Sequence, residues 1–547
     1  MIERKSMIRN KRDIMNFLKE GYGGVNKKEY TYEEFENISN YYSMKAKEKD
    51  GDGFVDEGTW NDVDMDDVYL QINNTNSSIG QEYLYYILRK TDVSEEELKE
   101  RDRVAEYFDG NEKERLLVGS EIYKMGYAYR ISLSDYLGNL KKAPQFSNFL
   151  HYLAMILFVC SILFCVFVDA TIGVGLVILC AAISVISYYK CKSQVEAYFS
   201  CVKYIIKMVG CAKNICKLNI DGIKEYNQRL KRDIDVLEPL LKGADIISDS
   251  RKVDGSLAEV LLDYVRMLTH IDLIKFNNIK KKIGGKTDVM YSMYETLGFL
   301  EAMIAVASYR KQLPYYSKPK FRNGFVSLDI EDAFHPLINN PVANSITTRK
   351  SVLITGSNAS GKSTFLKTVG INAILSQTIY TSISHSYSAP QFEIYSSIAL
   401  NDNLSGGESY YMVEIKSLKR ILNKADTSKR PVLCFVDEVL RGTNTIERIA
   451  ASSQILKSFA TKHVLCFAAT HDIELTKILL NYYDNYHFRE EVGDKDITFS
   501  YIIHKGAATT RNAIKLLGMI GYDKSIIKAS EESAAGFVAN NEWEVLE

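Results

Sequence analysis

Two uninterrupted apolar stretches constrain this chain more than any other feature. Residues 149–168 (FLHYLAMILFVCSILFCVFV) and 170–189 (ATIGVGLVILCAAISVISYY) are twenty residues each and are separated by Asp169. A helix of that length crosses a bilayer core, and a helical hairpin satisfies its own backbone where no water is present. Lys141 and Lys142 precede the first stretch and Lys190 and Lys192 follow the second. The positive-inside rule then sets both ends on the cytoplasmic side. A buried core hairpin of a large soluble domain is the other way to build such a pair. The N-terminus, MIERKSMIRNKRDIMNF, has no apolar run ahead of a cleavage site, so it does not read as a signal peptide. The expected arrangement is a membrane hairpin over residues 149–189 with both termini and the remaining domains in the cytoplasm.

At 547 residues the chain is long enough for two or three domains. Its 68 basic and 69 acidic residues leave a formal net charge of -1, which excludes a global polyanion-binding field but not a local basic face. The nine cysteines form no C-x-x-C pair and no zinc-ligand spacing, and read as reduced and structural. Residues 1–69 form a polar segment. Its acidic end, KEKDGDGFVDEGTWNDVDMDD, invites a calcium-loop reading. Placing Gly53 at loop position six, however, puts Glu48 at position one and Thr59 where a bidentate Glu is needed, so a solvated loop is expected. Residues 70–318 have helical periodicity: in SLAEVLLDYVRMLTHIDLIKF, Leu257, Val260, Leu261, Tyr264, Leu268 and Ile271 recur at three and four and predict one helix face. From 319 to 547, short apolar runs bounded by Gly, Asn and Pro alternate with helical stretches, as in a parallel-rich α/β sheet.

The chemistry concentrates in that last region. SVLITGSNASGKSTFLKTV holds Gly356-x-x-x-x-Gly361-Lys362-Ser363 between a β-type run and a helical one. This is the context in which backbone N–H groups at a helix N-terminus wrap phosphates. Lys362 would reach the β/γ phosphates and Ser363, followed by Thr364, would ligate Mg2+. A second apolar run, PVLCFV, ends in Asp437-Glu438, suited to magnesium binding and to orienting or deprotonating a water. A third, VLCFAA, ends in Thr470-His471-Asp472 and sets an imidazole at the same sheet edge, where it could sense the γ-phosphate.

Between the first and second of these lies DNLSGGESYYMVE. A P-loop, a Ser-Gly-Gly loop, an Asp-Glu strand end and a switch His follow the order of the ABC-class ATPases, a resemblance that implies ATP sandwiched in a dimer. Ser405 follows Lys362 by only about forty residues, too few for the helical subdomain of transporter ATPases. The chain also continues VLRGTNTIE after Asp437-Glu438.

These residues resemble the MutS family of DNA mismatch-repair ATPases. TGSNASGKSTFLKTVG, ESYYMVEI, DEVLRGTNTIE and FAATHDIEL are each similar to a motif of that family's ATPase; DAFHPLI resembles the element that precedes it, and SSIGQEYLYYILRKTDVSEEELKERDRVAEYF the start of its helical core. The resemblance implies a helical core and lever domain with an inserted transmembrane hairpin, followed by an ABC-class P-loop ATPase domain. By position it assigns Gly356, Asn358, Gly361, Lys362, Ser363 and Thr364 to the phosphate loop, and Ser363 and Asp437 to magnesium. Glu438 falls to the water, His471 to the γ-phosphate, and Ser409 to the ATP of the partner subunit. Tyr501 fits an adenine-stacking position, whereas Val342-Ala343-Asn344 stands where an aromatic is expected. About seventy residues precede the core and contain no Phe-x-Glu wedge, so mismatch reading by that device is not expected. The expected activity is that of a membrane-tethered homodimer that uses ATP and Mg2+ to clamp a partner, DNA by family analogy. The alternatives are a mechano-enzyme acting on a membrane protein or lipid, and a transport component.

Overall fold

The computed structural model describes residues 10–540 apart from 26–27, 129–131, 140–146, 243–256, 323, 358–359, 399–409, 442, 461–462, 493–496, 509–513, 515–516 and 518–520, together with 542, 543 and 545. They fall into two compact units: Met1–Phe54 with Tyr69–Pro314, and Val55–Val68 with Tyr315–Glu547.

The first unit is built from helices whose starts are written in the sequence. Thr31 and Glu34 form a capping box at the helix Tyr32–Glu48, and Ser77 and Ser94 cap the helices Ser78–Arg89 and Glu95–Gly110. The helix Thr287–Gln312 is buried along most of its length, and Arg310 pairs with Asp102 at 2.7 Å in the interior. Apolar packing around Tyr41, Tyr69, Tyr294 and Leu300 supplies the core.

The apolar stretches form the helix Asn148–Phe167 and the first part of the 48-residue helix Ala170–Lys217. Asp169 caps the second helix by accepting from Ile172 N at 2.8 Å. The two helices cross closely at Gly173, where a Cβ would come within 2.3 Å of Cys165 Cα. Both are long and apolar enough to cross a membrane, and Phe149, Val166, Ile178 and Ile186 are exposed. Further along, the long helix turns apolar side chains inward, with Val195, Val202, Ile205, Met208 and Ile215 fully buried.

The helix face predicted over Leu257 to Ile271 is interrupted. Helices Leu257–Thr269 and Ile271–Ile283 meet at His270, whose φ of 53° is left-handed. Polar contacts hold this break: His270 Nδ1 lies 2.9 Å from His151 Nδ1, and His270 Nε2 lies 2.9 Å from Ser184 O. Nearby, Tyr188 donates to Asp272 at 2.7 Å and Lys192 donates to Tyr188 at 2.6 Å. Tyr264 and Ile271 are exposed rather than on a buried face.

Among the described residues the second unit carries ten strands: β1 (Lys320–Phe321), β2 (Leu328–Ala333), β3 (Asn344–Thr348), β4 (Ser351–Thr355), β5 (Ser386–Ala389), β6 (Glu393–Ser397), β7 (Val432–Asp437), β8 (Val464–Thr470), β9 (Tyr483–Val492) and β10 (Ile497–Lys505). A four-stranded sheet has the order β1-β5-β2-β3, and a six-stranded sheet the order β10-β9-β4-β8-β7-β6. Within the larger sheet only the β9–β10 pair is antiparallel. Strands β4, β7 and β8 are apolar runs buried on both faces, the pattern of parallel strands covered on each side. Because β8 lies between β4 and β7, three consecutive strand ends share one edge.

Of the acidic stretch expected as a solvated loop, residues 47–52 are exposed, but from Phe54 onward it packs inward. Trp60, Val63 and Met65 are fully buried, Asp56 caps the helix Glu57–Asp62, and residues 55–68 belong to the second unit. Apolar side chains spaced among the acids, Trp60 above all, outweigh the local charge.

Candidate nucleotide site

β4 runs into Gly356, and Gly361 stands immediately before the helix Lys362–Ile379. Both glycines have positive φ, 146° and 103°, which L side chains adopt only under strain. Gly361 begins the helix without a side-chain cap, so its first N–H groups are open to an anion from outside the helix. Lys362 is buried, and its Nζ donates at 2.8 Å to both Gly356 O and Ser357 O. The ammonium is thereby curled over the loop.

Four further predicted residues converge on the same edge. Ser363 Oγ donates to Asp437 Oδ2, joining the P-loop helix to the end of β7. His471 Nε2 lies 2.9 Å from Glu438 Oε1 and 3.3 Å from Lys362 Nζ. Arg441 Nε holds the other Glu438 oxygen at 2.9 Å. Contact with His471 keeps the Glu438 carboxyl below its ordinary range, while burial raises that of Asp437 despite the Ser363 hydroxyl. Glu438 and Leu440 both occupy the left-handed region, with φ of 56° and 59°. Two such non-glycine residues in one turn mark backbone held against its preference next to the chemistry.

Residues outside the predicted set hold that turn. Glu414, on the helix Tyr410–Thr427, accepts the Leu440 N–H and is buried, which raises its carboxyl above the usual range. The sequence signal for it is the ESYYMVEI segment, where its acidity was visible but its target was not. Arg448 clamps Asp472 through two parallel bonds of 3.0 and 2.6 Å, fixing the residue that follows His471. Replacing Arg448 with Met should lower kcat about tenfold and change ATP affinity less than about twofold, because the pair orients His471 and touches no phosphate-loop residue. Steady-state kinetics with a fluorescent ATP analogue separate the two effects, and an unchanged kcat would exclude this positioning role.

Beside the loop is a cavity of about 360 Å³ lined by His335, Val342, Asn344, Thr364, Phe488 and Tyr501. A Cβ on Gly361 would meet Tyr501 Cδ1 at 3.3 Å, so the tyrosine ring stands directly over the start of the P-loop helix. Asn344, which stands where an aromatic was expected, donates to Tyr501 O at 2.9 Å and accepts from Ile503 N at 2.8 Å. It thereby clips the irregularity in β10 that presents Tyr501. Burial pushes His335 down to about 4, which keeps this wall of the cavity uncharged at neutral pH. Asn358 and Ser409 lie outside the described residues.

A largely parallel sheet whose strand β4 leads toward Gly361, Lys362 and Ser363, with Asp437, Glu438 and His471 at the adjoining strand ends, is a candidate site for the phosphates of a nucleotide. Residues 352–537 match MutS domain V, which supports the resemblance of this region to the MutS family. It is similar to the DNA mismatch repair protein MutS of Natronomonas pharaonis, 26% identical over 280 residues, covering 49% of this chain and 32% of that protein. The MutS of Thermus aquaticus is 27% identical over 274 residues, 49% of this chain and 33% of the relative. That of Aquifex pyrophilus is 31% identical over 226 residues, 39% and 26% respectively. The matches therefore span about a third or less of these relatives' length.

Proposed function

We propose that this chain is a membrane-tethered, homodimeric ATPase of the MutS type that couples Mg2+-ATP turnover to the clamping of DNA by its helical unit. The observation that carries the reading is the convergence of Lys362, Ser363, Asp437, Glu438 and His471 on one sheet edge. Lys362 and the N–H groups opening its helix bind the phosphates, and the cavity under Tyr501 takes the base. The residues fit a magnesium ion: Asp437 Oδ1 is buried with no hydrogen-bond partner among the described residues, and Oδ2 meets the Ser363 hydroxyl. When bound, the ion neutralises charge on the phosphate oxygens. Glu438, ionised at neutral pH, orients the attacking water and accepts its proton, while His471 relays the state of the γ-phosphate to the Glu438 turn. Ser409 serves the partner subunit's ATP.

Tethering rests on the exposed apolar faces of the two long helices, with the ATPase unit and both termini in the cytoplasm. DNA as the partner rests on the MutS relatives, whose name is that of a mismatch-repair protein. The full chain in detergent should bind duplex or branched DNA at low salt, lose at least tenfold in affinity between about 50 and 200 mM salt, and change affinity with ATP. Fluorescence anisotropy reads this directly. No binding at low salt, together with recovery of a membrane protein by the ATP-loaded chain, would transfer the clamp to a protein partner.

A further inference from the structure

The chain enters the second unit twice, first as residues Val55–Val68 and again from Tyr315. That first visit is short, yet it touches three elements that serve the nucleotide site. On the edge strand β6, Asp62 Oδ2 accepts from Ser396 Oγ at 2.6 Å and from Ile398 N at 2.9 Å, while Thr59 Oγ1 accepts from Ser396 N at 3.0 Å. On the helix Tyr410–Thr427, Arg420 donates to Asp56 at 2.8 Å and to Ser396 O at 2.6 Å. Gly58 leaves room for that guanidinium, since a Cβ there would come within 2.7 Å of Arg420 Nη1. On the P-loop helix, Lys367 pairs with Asp64 at 2.7 Å, and Gly370 is packed so closely that a Cβ would sit 3.2 Å from Val63 Cγ1.

Ile398 is the last described residue before the Ser-Gly-Gly stretch, and the helix carrying Arg420 begins just after it. We infer that residues 55–68 are a positioning element of the ATPase, in which Asp62 and Asp56 fix the two flanks of the Ser-Gly-Gly stretch and Asp64 fixes the P-loop helix. The segment is joined to the first unit at both ends, so tension along the chain from the helical unit reaches these flanks without passing through residue 315. This inference rests on the dimeric ATPase reading and adds the route by which the helical unit regulates it.

The test uses the full chain in detergent. Asp62→Ala removes both acceptor contacts and leaves the Ile398 N–H without its partner, whereas Asp62→Asn keeps an oxygen in place for them. With Asp62→Ala, kcat should fall about tenfold and ATP-dependent self-association in a Glu438→Gln background should be lost, while affinity for a fluorescent ATP analogue changes less than about twofold. Asp62→Asn should stay within about threefold of the parent. Asp56→Ala, at a more exposed position, should move kcat in the same direction by roughly threefold and keeps the test open should Asp62→Ala not fold. Unchanged kcat and self-association in Asp62→Ala and Asp56→Ala would overturn the inference. So would losses of turnover and nucleotide affinity that match each other, the pattern of a merely structural role. Absence of ATP-dependent self-association in Glu438→Gln alone would overturn the dimeric ATPase reading instead, and the inference with it.

Discussion

Lys362→Ala should abolish ATP binding, with at least a hundredfold loss of affinity for a fluorescent ATP analogue. Lys362 is buried in the proposed phosphate loop, and its ammonium donates to Gly356 O and Ser357 O. Charge-assisted hydrogen bonds contribute about 1.5–3 kcal/mol each, so losing two of them to phosphate oxygens exceeds the roughly 2.7 kcal/mol that a hundredfold represents. The parallel strands β4, β7 and β8 are buried independently of this side chain, so the melting transition should remain cooperative. Equilibrium binding beside a thermal melt separates loss of the site from loss of the fold.

Glu438→Gln should separate binding from chemistry. The amide preserves the shape of the carboxylate and cannot accept a proton from water, so turnover should drop by about 10²- to 10⁴-fold with ATP affinity nearly unchanged. The sign of the pH dependence follows from the same contacts. Contact with His471 holds the Glu438 carboxyl below its ordinary range, so the residue is ionised at and above mildly acidic pH. The acid limb of turnover due to Glu438 should therefore lie below the ordinary carboxylate range, with the group ionised and active at neutral pH. A pH–rate profile of the parent, and its absence in the variant, reads both statements.

The candidate phosphate site was legible because its parts are local. Gly356, Gly361, Lys362 and Ser363 fall within eight residues, and Asp437-Glu438 and His471 each end a short apolar run of the length of a buried strand. Adjacent positions of β4, β8 and β7 then bring the pieces together, as parallel α/β order requires. What could not be read was whatever depends on partners far away in the chain. Asp62 reaches Ser396 and Ile398, and Asp64 reaches Lys367, across more than 300 residues. No local pattern announces such contacts, and a run of acids there reads as solvated. Glu414 and Arg448 share that invisibility, since each acts on a turn belonging to another element. In Val342-Ala343-Asn344, where an aromatic was expected, Asn344 serves as a backbone clip that composition does not signal. The break at His270 was hidden because periodicity of apolar residues continues through a residue whose conformation is set by His151 and Ser184.

The most direct measurement of the central claim is phosphate release by the purified full chain in detergent with ATP, compared with Glu438→Gln and with magnesium removed by chelation. Magnesium-dependent turnover in the parent, falling at least a hundredfold in Glu438→Gln while that variant still binds ATP, is the predicted result. Equal turnover in the parent and Glu438→Gln would contradict the assignment of this site as an ATPase centre.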